Sequence, residues 1–482
     1  MSINVVWFRR DLRWTDHTAL ARVLDDTEPA DSILALFIID PNMTSSFSTR
    51  HDYFYETLQS FVEAGDELGI NVHFLYGSVD EVFPLLVDDF NVQAVYFNRD
   101  ESGAGQDRDR EAIKVLESKG VEVYTFIDHH LHGALEVTKK DGERYQVFTP
   151  YYKAWRRLTK PALNTINVDE LKEKSVNYRT SFERGQEAYG KLMQQKTGRF
   201  SDHVGEQAAQ ERLVAFLNDG LVSYDEDRDR PGIDGTSQLS KYLRTGVISP
   251  RMVFEAVQTA AEKKGTDQGA ETFIQELAWR DFYNMVSYDH PNGKDEEWKE
   301  QFRGMEWSYD EDEWERWKEG NTGFPIVDAA MRQLNQEGWM HNRLRMVTAS
   351  FLTKDLLQDW RQGERYFQDQ LIDYDPASNI GGWQWAASTG TDAVPYFRVF
   401  NPTRQSERFD PDGTYIKTYV PELQNVPVDY IHEPGRMPEH VQKKAKCVIG
   451  SDYPEPIIDH KARRKAAIQM YEEKKDESRF RK

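Results

Sequence analysis

A chain of 482 residues is too long for one ordinary hydrophobic core, so two domains are expected. Hydrophobic residues make up 39% of the chain and charged residues 30%, and no apolar run is long enough to span a bilayer, which excludes an integral membrane protein. The formal net charge of −21, taken alone, argues against a nucleic-acid partner, because phosphates favour basic surfaces.

The N-terminal segment and the cysteine content indicate a cellular compartment. The segment MSINVVWFRRDLRW passes directly from a short apolar stretch to Arg9, Arg10 and Arg13, which is the wrong order for a secretory signal. Cys447 is the only cysteine, which excludes an internal disulfide and a cysteine-cluster metal site. We therefore expect a cytoplasmic protein, and we predict no metal site.

Short β-branched and aromatic runs near the N-terminus predict buried strands. These runs lie at residues 3–8, 33–39, 72–76, 94–97 and 121–127. Segments of helical period separate them, as at 51–68 and 107–120, so strands and helices alternate. This alternation predicts a doubly wound α/β domain with a parallel sheet over residues 1–131. Neither a GxGxxG nor a P-loop fingerprint is present, so the fold alone indicates little about function.

The rest of the chain divides into three parts. The pattern weakens over residues 132–200, which we interpret as an interdomain connector. Helical periodicity then dominates residues 201–475 and predicts an all-α domain. The charged residues 476–482 are expected to form a solvated tail.

The segment GTSQLSKYL at 235–243 places hydroxyl groups at the predicted start of a helix. Thr236, Ser237 and Ser240, together with free backbone N–H groups, are suited to binding a phosphate or diphosphate. Simple helix capping explains the same residues and is the favoured interpretation of the motif taken alone.

The segment ELAWRDFY at 276–283 places four polar or aromatic side chains on one helix face. Glu276, Trp279, Arg280 and Tyr283 follow the spacing i, i+3, i+4 and i+7. Such a face can meet a planar polar ligand. The alternative is a partly buried Glu–Arg pair beside a tryptophan of the hydrophobic core.

Two later segments have unusual polar content. In GWMHNRLRM at 338–346, Asn342, Arg345 and Met346 share a face that can bond to a heteroaromatic ring. The segment 371–402 combines Asp373 and Asp375 with twin glycines and two tryptophans. Its composition predicts an irregular backbone in close contact with another group, rather than an ordinary helix.

Several long motifs, in order along the chain, resemble the DNA photolyase/cryptochrome family. They are WFRRDLR at 7–13, TGFPIVDAAMRQL at 322–334, GWMHNRLRM at 338–346, DWRQGERYF at 359–367 and GGWQWAASTGTDA at 381–393. The likeness extends from residue 3 to about residue 471. Within the family, the chain resembles the class I cyclobutane pyrimidine dimer photolyases. The resemblance implies an N-terminal antenna-chromophore domain and a C-terminal helical domain that binds FAD.

The resemblance also implies which residues hold FAD. Tyr224 and the segment 236–240 would bind its diphosphate, Arg345 and Asp373 would pair beside the isoalloxazine ring, and Asn342 would face flavin N5. Family members often carry tryptophan at the position of Phe273. The full set implied for FAD is Tyr224, Thr236, Ser237, Gln238, Leu239, Ser240, Phe273, Glu276, Arg280, Asn342, Arg345, Asp373 and Asp375.

The implied reaction is light-driven repair of ultraviolet-damaged DNA. Splitting a cyclobutane pyrimidine dimer requires a one-electron reductant, which excited reduced FAD supplies to a base-flipped lesion. By resemblance, Glu276 would hydrogen-bond a base carbonyl and stabilise the developing charge. The other residues implied for DNA binding are Arg228, Trp279, Arg343, Met346, Trp385 and Arg398.

Three tryptophans match the family's electron relay from the protein surface to the flavin. They are Trp307, Trp360 and Trp383, each of which alone would be interpreted as a core residue. As a set they predict photoreduction of bound FAD.

Three alternatives to cyclobutane dimer repair have to be distinguished. A cryptochrome-type photoreceptor shares the fold without repair activity, although Asn342 and the short C-terminal tail favour a photolyase. Enzymes that repair the (6-4) photoproduct typically carry paired histidines in the lesion pocket, where this chain has Trp339, Met340, His341 and Asn342. This difference favours cyclobutane dimers as the substrate. An electron-transfer flavoprotein without a DNA partner is favoured only by the acidic net charge.

The antenna chromophore and the oligomeric state are the least specified expectations. The segment NRDESGAGQDRD at 98–109 resembles members that bind 8-hydroxy-5-deazaflavin, which would make Asp100 a chromophore contact. Lys294 lies where members that bind 5,10-methenyltetrahydrofolate also place a lysine, so both chromophores remain open. We expect a monomer.

Overall fold

The computed structural model describes residues 2–44, 46–176, 182–265 and 267–480. The chain divides into two compact units. Unit 1 comprises Met1–Tyr145, Thr149–Val222 and Ser237–Asp289. Unit 2 comprises Gln146–Phe148, Ser223–Thr236 and His290–Lys482.

Unit 1 begins with a five-stranded parallel sheet in the order β3-β2-β1-β4-β5. The strands are β1 (Ile3–Phe8), β2 (Ser32–Ile39), β3 (Val72–Tyr76), β4 (Val92–Asn98) and β5 (Glu122–Phe126). All six residues of β1 are buried, as are seven of the eight in β2, because helices cover both faces of a parallel sheet. The predicted doubly wound sheet and its five strands are confirmed.

Helices follow the strands and fill the remainder of unit 1. They are α1 (Thr18–Asp26), α2 (Thr49–Leu68), α3 (Val79–Asp89), α4 (Gly103–Ser118), α5 (Phe148–Arg157), α6 (Val168–Lys174), α7 (Glu183–Gln195) and α8 (Gly205–Ala215). After the first residues of unit 2, the chain returns to unit 1 with α10 (Ser240–Thr245), α11 (Pro250–Lys264) and α12 (Asp267–Asp289). The stretch 132–200, interpreted as a connector, therefore contains α5, α6 and α7.

Unit 2 is helical throughout its main elements, in agreement with the predicted all-α region. They are α9 (Tyr224–Asp227), α13 (Glu311–Glu319), α14 (Pro325–Glu337), α15 (Asn342–Ser350), α16 (Trp360–Gln370), α17 (Pro376–Ala386), α18 (Pro402–Phe409), α19 (Thr414–Tyr419), α20 (Val428–Ile431), α21 (Glu439–Ala445) and α22 (His460–Phe480). A π-helical turn, Phe351–Asp355, follows α15 directly. Helix α22 extends to Phe480, through most of the segment 476–482 assigned to a tail.

One local expectation is wrong. The segment 371–402 was expected to avoid an ordinary helix, but its residues Pro376–Ala386 form α17. Pro376 occupies the first helical turn, where its missing N–H costs nothing, and Asp375 caps the helix by accepting from the N–H of Ser378. These start signals outweigh the low helix propensity of Gly381 and Gly382.

No helix in the described part of the chain combines the length and the apolar character that a membrane span requires.

Candidate active site

Helix α12 of unit 1 carries the first predicted binding face. This face is half-buried, as expected where a helix face is only partly covered by the rest of the protein. Its four residues are Glu276, Trp279, Arg280 and Tyr283. The rings of Trp279 and Tyr283 stack with centroids 5.6 Å apart and an interplanar angle of 28°. The Trp279 ring also contacts the edge of Phe282 at 5.6 Å. These contacts fix the plane of the indole before any ligand binds.

Arg280 is held in part by two backbone carbonyls. Its Nη1 donates to the carbonyl of His129, and its Nη2 donates to the carbonyl of Leu243 at 3.3 Å. Both partners lie in unit 1, at the end of the sheet domain and at α10. These two bonds orient the guanidinium, and the Glu–Arg pair of the alternative interpretation stays a prediction.

A buried titratable cluster lies behind this face of α12. The carboxylate of Asp281 accepts from Trp155 Nε1 at 2.8 Å and from the backbone N–H of His132 at 2.9 Å. Lys160 Nζ lies 3.0 Å from His132 Nε2 and 3.6 Å from the centre of the Trp155 ring. Burial raises the pKa of Asp281 to about 7 and lowers the pKa of Lys160 to about 8. Sequence reasoning missed this cluster, because its members are far apart in the chain.

The segment before α10 has the geometry of a tight turn. Gln238 has φ = +51°, in the left-handed region, and Leu239 occupies the N-cap position of the helix. Ser237 Oγ accepts from the N–H of Leu239 at 3.3 Å, and the carbonyl of Ser237 accepts from Arg212 Nε at 2.9 Å. Thr236 ends the preceding segment of unit 2. Hydroxyl groups and a helix start thus occur together, as the sequence predicted.

Two other residues implied for FAD are buried aromatics. Phe273 on α12 packs against Phe216 of unit 1 with ring centroids 4.9 Å apart. Tyr224 begins α9 in unit 2, and the guanidinium of Arg228 lies 5.7 Å from the centre of its ring.

In unit 2, α15 begins at Asn342 and presents the second predicted face. His341 is the N-cap, and its ring nitrogen accepts from the N–H of Arg343 at 3.2 Å. Burial lowers the pKa of His341 to about 4, so the ring is neutral at pH 7. The side chain of Asn342 is exposed, while those of Arg345 and Met346 are half-buried. The spacing that predicted a shared helix face is confirmed.

Arg345 and Asp373 form an ion pair with one oxygen left over. Arg345 Nη2 lies 2.7 Å from Asp373 Oδ2, and Arg345 Nε donates to the carbonyl of Met340 at 2.8 Å. The second oxygen of Asp373, Oδ1, is buried and accepts no hydrogen bond from the described residues. A buried carboxylate oxygen without a donor is costly, which indicates that a ligand donor belongs there.

Helix α17 carries two tryptophans that differ in burial. Trp383 is 2% exposed, whereas Trp385 is half-buried and contacts the edge of Phe400 at 6.4 Å. A Cβ placed on Gly382 would meet no described atom within 4 Å. The glycine therefore leaves open space on the exposed side of the helix.

The three predicted relay tryptophans lie on segments that pack together within unit 2. Trp360 is the first residue of α16, and Trp383 of α17 packs so closely on Gly363 that an added Cβ would lie 2.1 Å from its ring. Trp307 precedes Ser308, whose N–H donates to the carbonyl of Leu357 at 2.8 Å, three residues before Trp360. Trp307 is half-buried, while Trp360 is fully buried. Burial thus increases from Trp307 to Trp360, as an inward relay requires.

The predicted phosphate-binding arginines differ in their partners. Arg343 makes a two-point ion pair with Asp229, with Nη2–Oδ2 at 2.7 Å and Nε–Oδ1 at 3.1 Å. Arg398 is exposed, and its backbone carbonyl accepts from the buried amine of Lys354 at 3.2 Å. Sequence reasoning missed Asp229 and Lys354, although the alternating charges in DEDRDR at 225–230 were a signal for the first.

Asp100, the predicted antenna contact in unit 1, lies in a buried charged cluster. It pairs with Arg10 at 2.6 Å and with Arg108 at 2.9 Å. Burial alone would raise the pKa of Asp100, but these two arginines hold it well below its usual range. Nε and Nη1 of Arg9 and Nε2 of His129 are buried without a hydrogen-bond partner among the described residues.

Comparison with known families decides what these two sets of residues belong to. Residues 4–168 match the family model described as DNA photolyase, and residues 273–473 match the one described as the FAD binding domain of DNA photolyase. The chain belongs to the DNA photolyase family. The resemblance found in the sequence motifs is confirmed, and the photolyase family's FAD-binding domain contains α15, α16, α17 and most of α12.

Curated relatives extend the photolyase match to the whole chain. It is 48% identical, over 98% of both chains, to a protein of Alkalihalophilus pseudofirmus named deoxyribodipyrimidine photo-lyase. It is 38% identical to the Escherichia coli protein of the same name, over 98% of this chain and 99% of the relative.

Solved structures of a photolyase and of a cryptochrome share the fold over nearly the whole chain. A class III photolyase from Agrobacterium tumefaciens superposes with a TM-score of 0.91 at 33% identity, covering 99% of this chain and 98% of the other. A cryptochrome from Synechocystis superposes with a TM-score of 0.81 at 27% identity, covering 98% and 99%. The predicted membership of class I within the photolyases stays a prediction.

Proposed function

We propose that this protein is a deoxyribodipyrimidine photo-lyase that splits cyclobutane pyrimidine dimers in DNA, using light and reduced FAD. The match of residues 273–473 to the FAD binding domain of DNA photolyase carries the proposal. The curated relatives of the same name, identical at up to 48% over nearly the whole chain, support it.

The residues present fit FAD. In unit 2, Asp373 Oδ1 is a buried acceptor that awaits a donor, such as a ring N–H or a hydroxyl group of the cofactor. The exposed amide of Asn342 would supply a donor and an acceptor to the flavin ring. In unit 1, the turn at 237–240 would bind the diphosphate through hydroxyl and backbone N–H groups. Bound FAD would supply the light absorption and the one-electron reducing power that no side chain possesses.

The chain's own residues would bind and hold the lesion. Trp279, already fixed by its stack on Tyr283, and the half-buried Trp385 would each offer a flat face to a flipped base. Glu276 would donate a hydrogen bond to a base carbonyl, where negative charge develops. Arg343 and Arg398 would pair with phosphates and set the register of the DNA.

Trp307, Trp360 and Trp383 would pass electrons from the surface inward, which keeps bound FAD reduced. The close packing of α16 on α17 and the backbone bond between Ser308 and Leu357 support this assignment.

An antenna chromophore would bind in unit 1. The buried cations around Asp100 include donors of Arg9 without partners, which suits an anionic or carbonyl-rich chromophore. Either 8-hydroxy-5-deazaflavin or 5,10-methenyltetrahydrofolate meets that description. We further propose that the enzyme acts as a monomer in the cytoplasm.

The decisive experiment is a repair assay with the reduced, FAD-loaded protein. Ultraviolet-irradiated oligothymidine is added, blue light is applied, and the recovery of thymine absorbance is followed. We expect light-dependent recovery in the wild-type protein and its loss in Glu276→Ala and Asn342→Ala. A Glu262→Ala variant, which changes an exposed residue of α11, serves as the control.

Two outcomes would contradict the proposal. Absence of recovery in a protein whose FAD still photoreduces would place the chain with cryptochromes, which the Synechocystis structure shows to share the fold. Failure to bind irradiated DNA at any salt concentration would favour an electron-transfer flavoprotein instead.

A further inference from the structure

The guanidinium of Arg343 is held on one edge and on one face. Its Nε and Nη2 both donate to the carboxylate of Asp229, and its central carbon lies 4.5 Å from the centre of the Phe409 ring. The side chains of Arg343 and Asp229 are 19% and 35% exposed. A two-point pair of this kind fixes the orientation of the planar guanidinium and not only its position.

The remaining edge of Arg343 is available to a ligand. The pair uses the Nε and one N–H of Nη2, which leaves the edge formed by Nη1 and Nη2. Among the described residues, the contact of Nη1 is the sulfur of Met346 at 3.9 Å, a weak acceptor. A phosphate can bind this edge through two parallel hydrogen bonds.

The same pair cancels charge on this surface. The carboxylate of Asp229 balances Arg343, and His341 beside them is neutral because burial lowers its pKa to about 4. Binding to undamaged DNA is almost entirely electrostatic, so each cancelled charge weakens it directly. Binding to damaged DNA loses the same electrostatic contribution, but the oriented edge of Arg343 returns binding free energy where the backbone beside a flipped lesion brings a phosphate against it.

We propose that Asp229 determines the discrimination between damaged and undamaged DNA. It positions the free edge of Arg343 for a DNA phosphate, and its charge lowers the affinity for undamaged duplex. This inference rests on the proposed function, which assigns Arg343 to the DNA. Asp229 acts through Arg343 and is a positioning residue.

The test compares Asp229→Asn with Asp412→Asn in the full-length protein with FAD bound. Both variants lose one negative charge in unit 2, but Asp412 is an exposed residue that makes no described contact with Arg343. Equilibrium binding to undamaged and to ultraviolet-irradiated duplex is measured in the dark at several salt concentrations. We expect Asp229→Asn to bind undamaged duplex about threefold more tightly than Asp412→Asn, with a salt slope steeper by about one. The ratio of the two affinities should fall by a similar factor.

A ratio and a salt slope equal to those of Asp412→Asn would overturn the proposal. The Asp229→Ala variant tests the positioning part, because asparagine retains an acceptor for Arg343 and alanine does not. It should bind damaged DNA more weakly than Asp229→Asn, and equal binding would refute that part. If Arg343→Ala binds both duplexes as wild type does while repair persists, the assignment of Arg343 to DNA is wrong and the proposed function still stands.

Discussion

Arg345 Nη2 lies 2.7 Å from one oxygen of Asp373, while the other oxygen of that carboxylate is buried without a described donor. One half of the carboxylate is therefore used by the protein, and the other half is available to a ligand. The Asp373→Asn variant should lose bound FAD, because it weakens the ion pair and exchanges one acceptor for a donor. The ratio of flavin absorbance to protein absorbance after purification measures this loss. Asp369→Asn, which changes an exposed residue of α16, should retain wild-type FAD content, and full retention in Asp373→Asn would refute the assignment.

The Glu276→Gln variant tests charge stabilisation at the lesion. Glutamine still donates a hydrogen bond but cannot share a proton as a carboxyl group does. We expect the light-driven repair rate to fall about tenfold or more, with little change in binding of irradiated DNA. The quantum yield of repair measures the first effect and dark equilibrium binding the second. Equal losses in both would mean that Glu276 only binds the lesion.

Replacing a relay tryptophan should separate photoreduction from repair. Trp360→Phe or Trp383→Phe should slow the light-driven reduction of oxidised FAD by more than tenfold, because phenylalanine is much harder to oxidise than tryptophan. Repair by chemically reduced enzyme should be unchanged. Trp298→Phe, which alters another buried tryptophan of unit 2, provides the control. Photoreduction at the wild-type rate in Trp360→Phe would exclude Trp360 from the relay.

Two glycine substitutions should have opposite effects on stability. Gly363→Ala would place a Cβ 2.1 Å from the Trp383 ring, which should lower the free energy of unfolding by about 1–3 kcal/mol. Gly382→Ala meets open space within a helix and should raise it by about 0.5–1 kcal/mol in the FAD-free protein. Denaturant unfolding of both variants measures these changes. A stabilising Gly363→Ala would contradict the packing of α16 on α17.

The stability of unit 1 should depend on the protonation of Asp281. Burial raises its pKa from 3.8 to about 7, so between these values the folded protein holds a proton that the unfolded chain has lost. The contribution of Asp281 is fully present below pH 3.8 and is lost as the pH rises through 7, at about 1.4 kcal/mol for each pH unit.

The Asp281→Asn variant cannot titrate and should gain stability relative to wild type as the pH rises across this window. The difference in unfolding free energy between the two proteins, measured from pH 4 to 8, isolates the effect. Asp107→Asn, at a side chain that is 77% exposed, should show a constant difference. A constant difference for Asp281→Asn as well would place its pKa near the ordinary value.

Local pattern was enough to predict the sheet and the faces of α12 and α15, because these depend on spacings of two to seven residues. The partners of those faces could not be predicted. Arg280 bonds to carbonyls 151 and 37 residues away, and no side-chain pattern encodes a carbonyl acceptor. Helix α17 was not predicted, because the two glycines were given more weight than the start signals of Asp375 and Pro376. The roles of Asp373 and Arg343 came from the family resemblance, while their actual pairing came from the structure.

The indole nitrogens of Trp307 and Trp360 are buried and find no acceptor among the described residues. An indole that loses an electron becomes a far stronger acid than neutral indole, yet at these two positions no neighbouring oxygen is described that could take the proton. Positive charge can therefore move through this part of the protein without proton movement. Transfer through such rings should proceed at the same speed in heavy water as in light water.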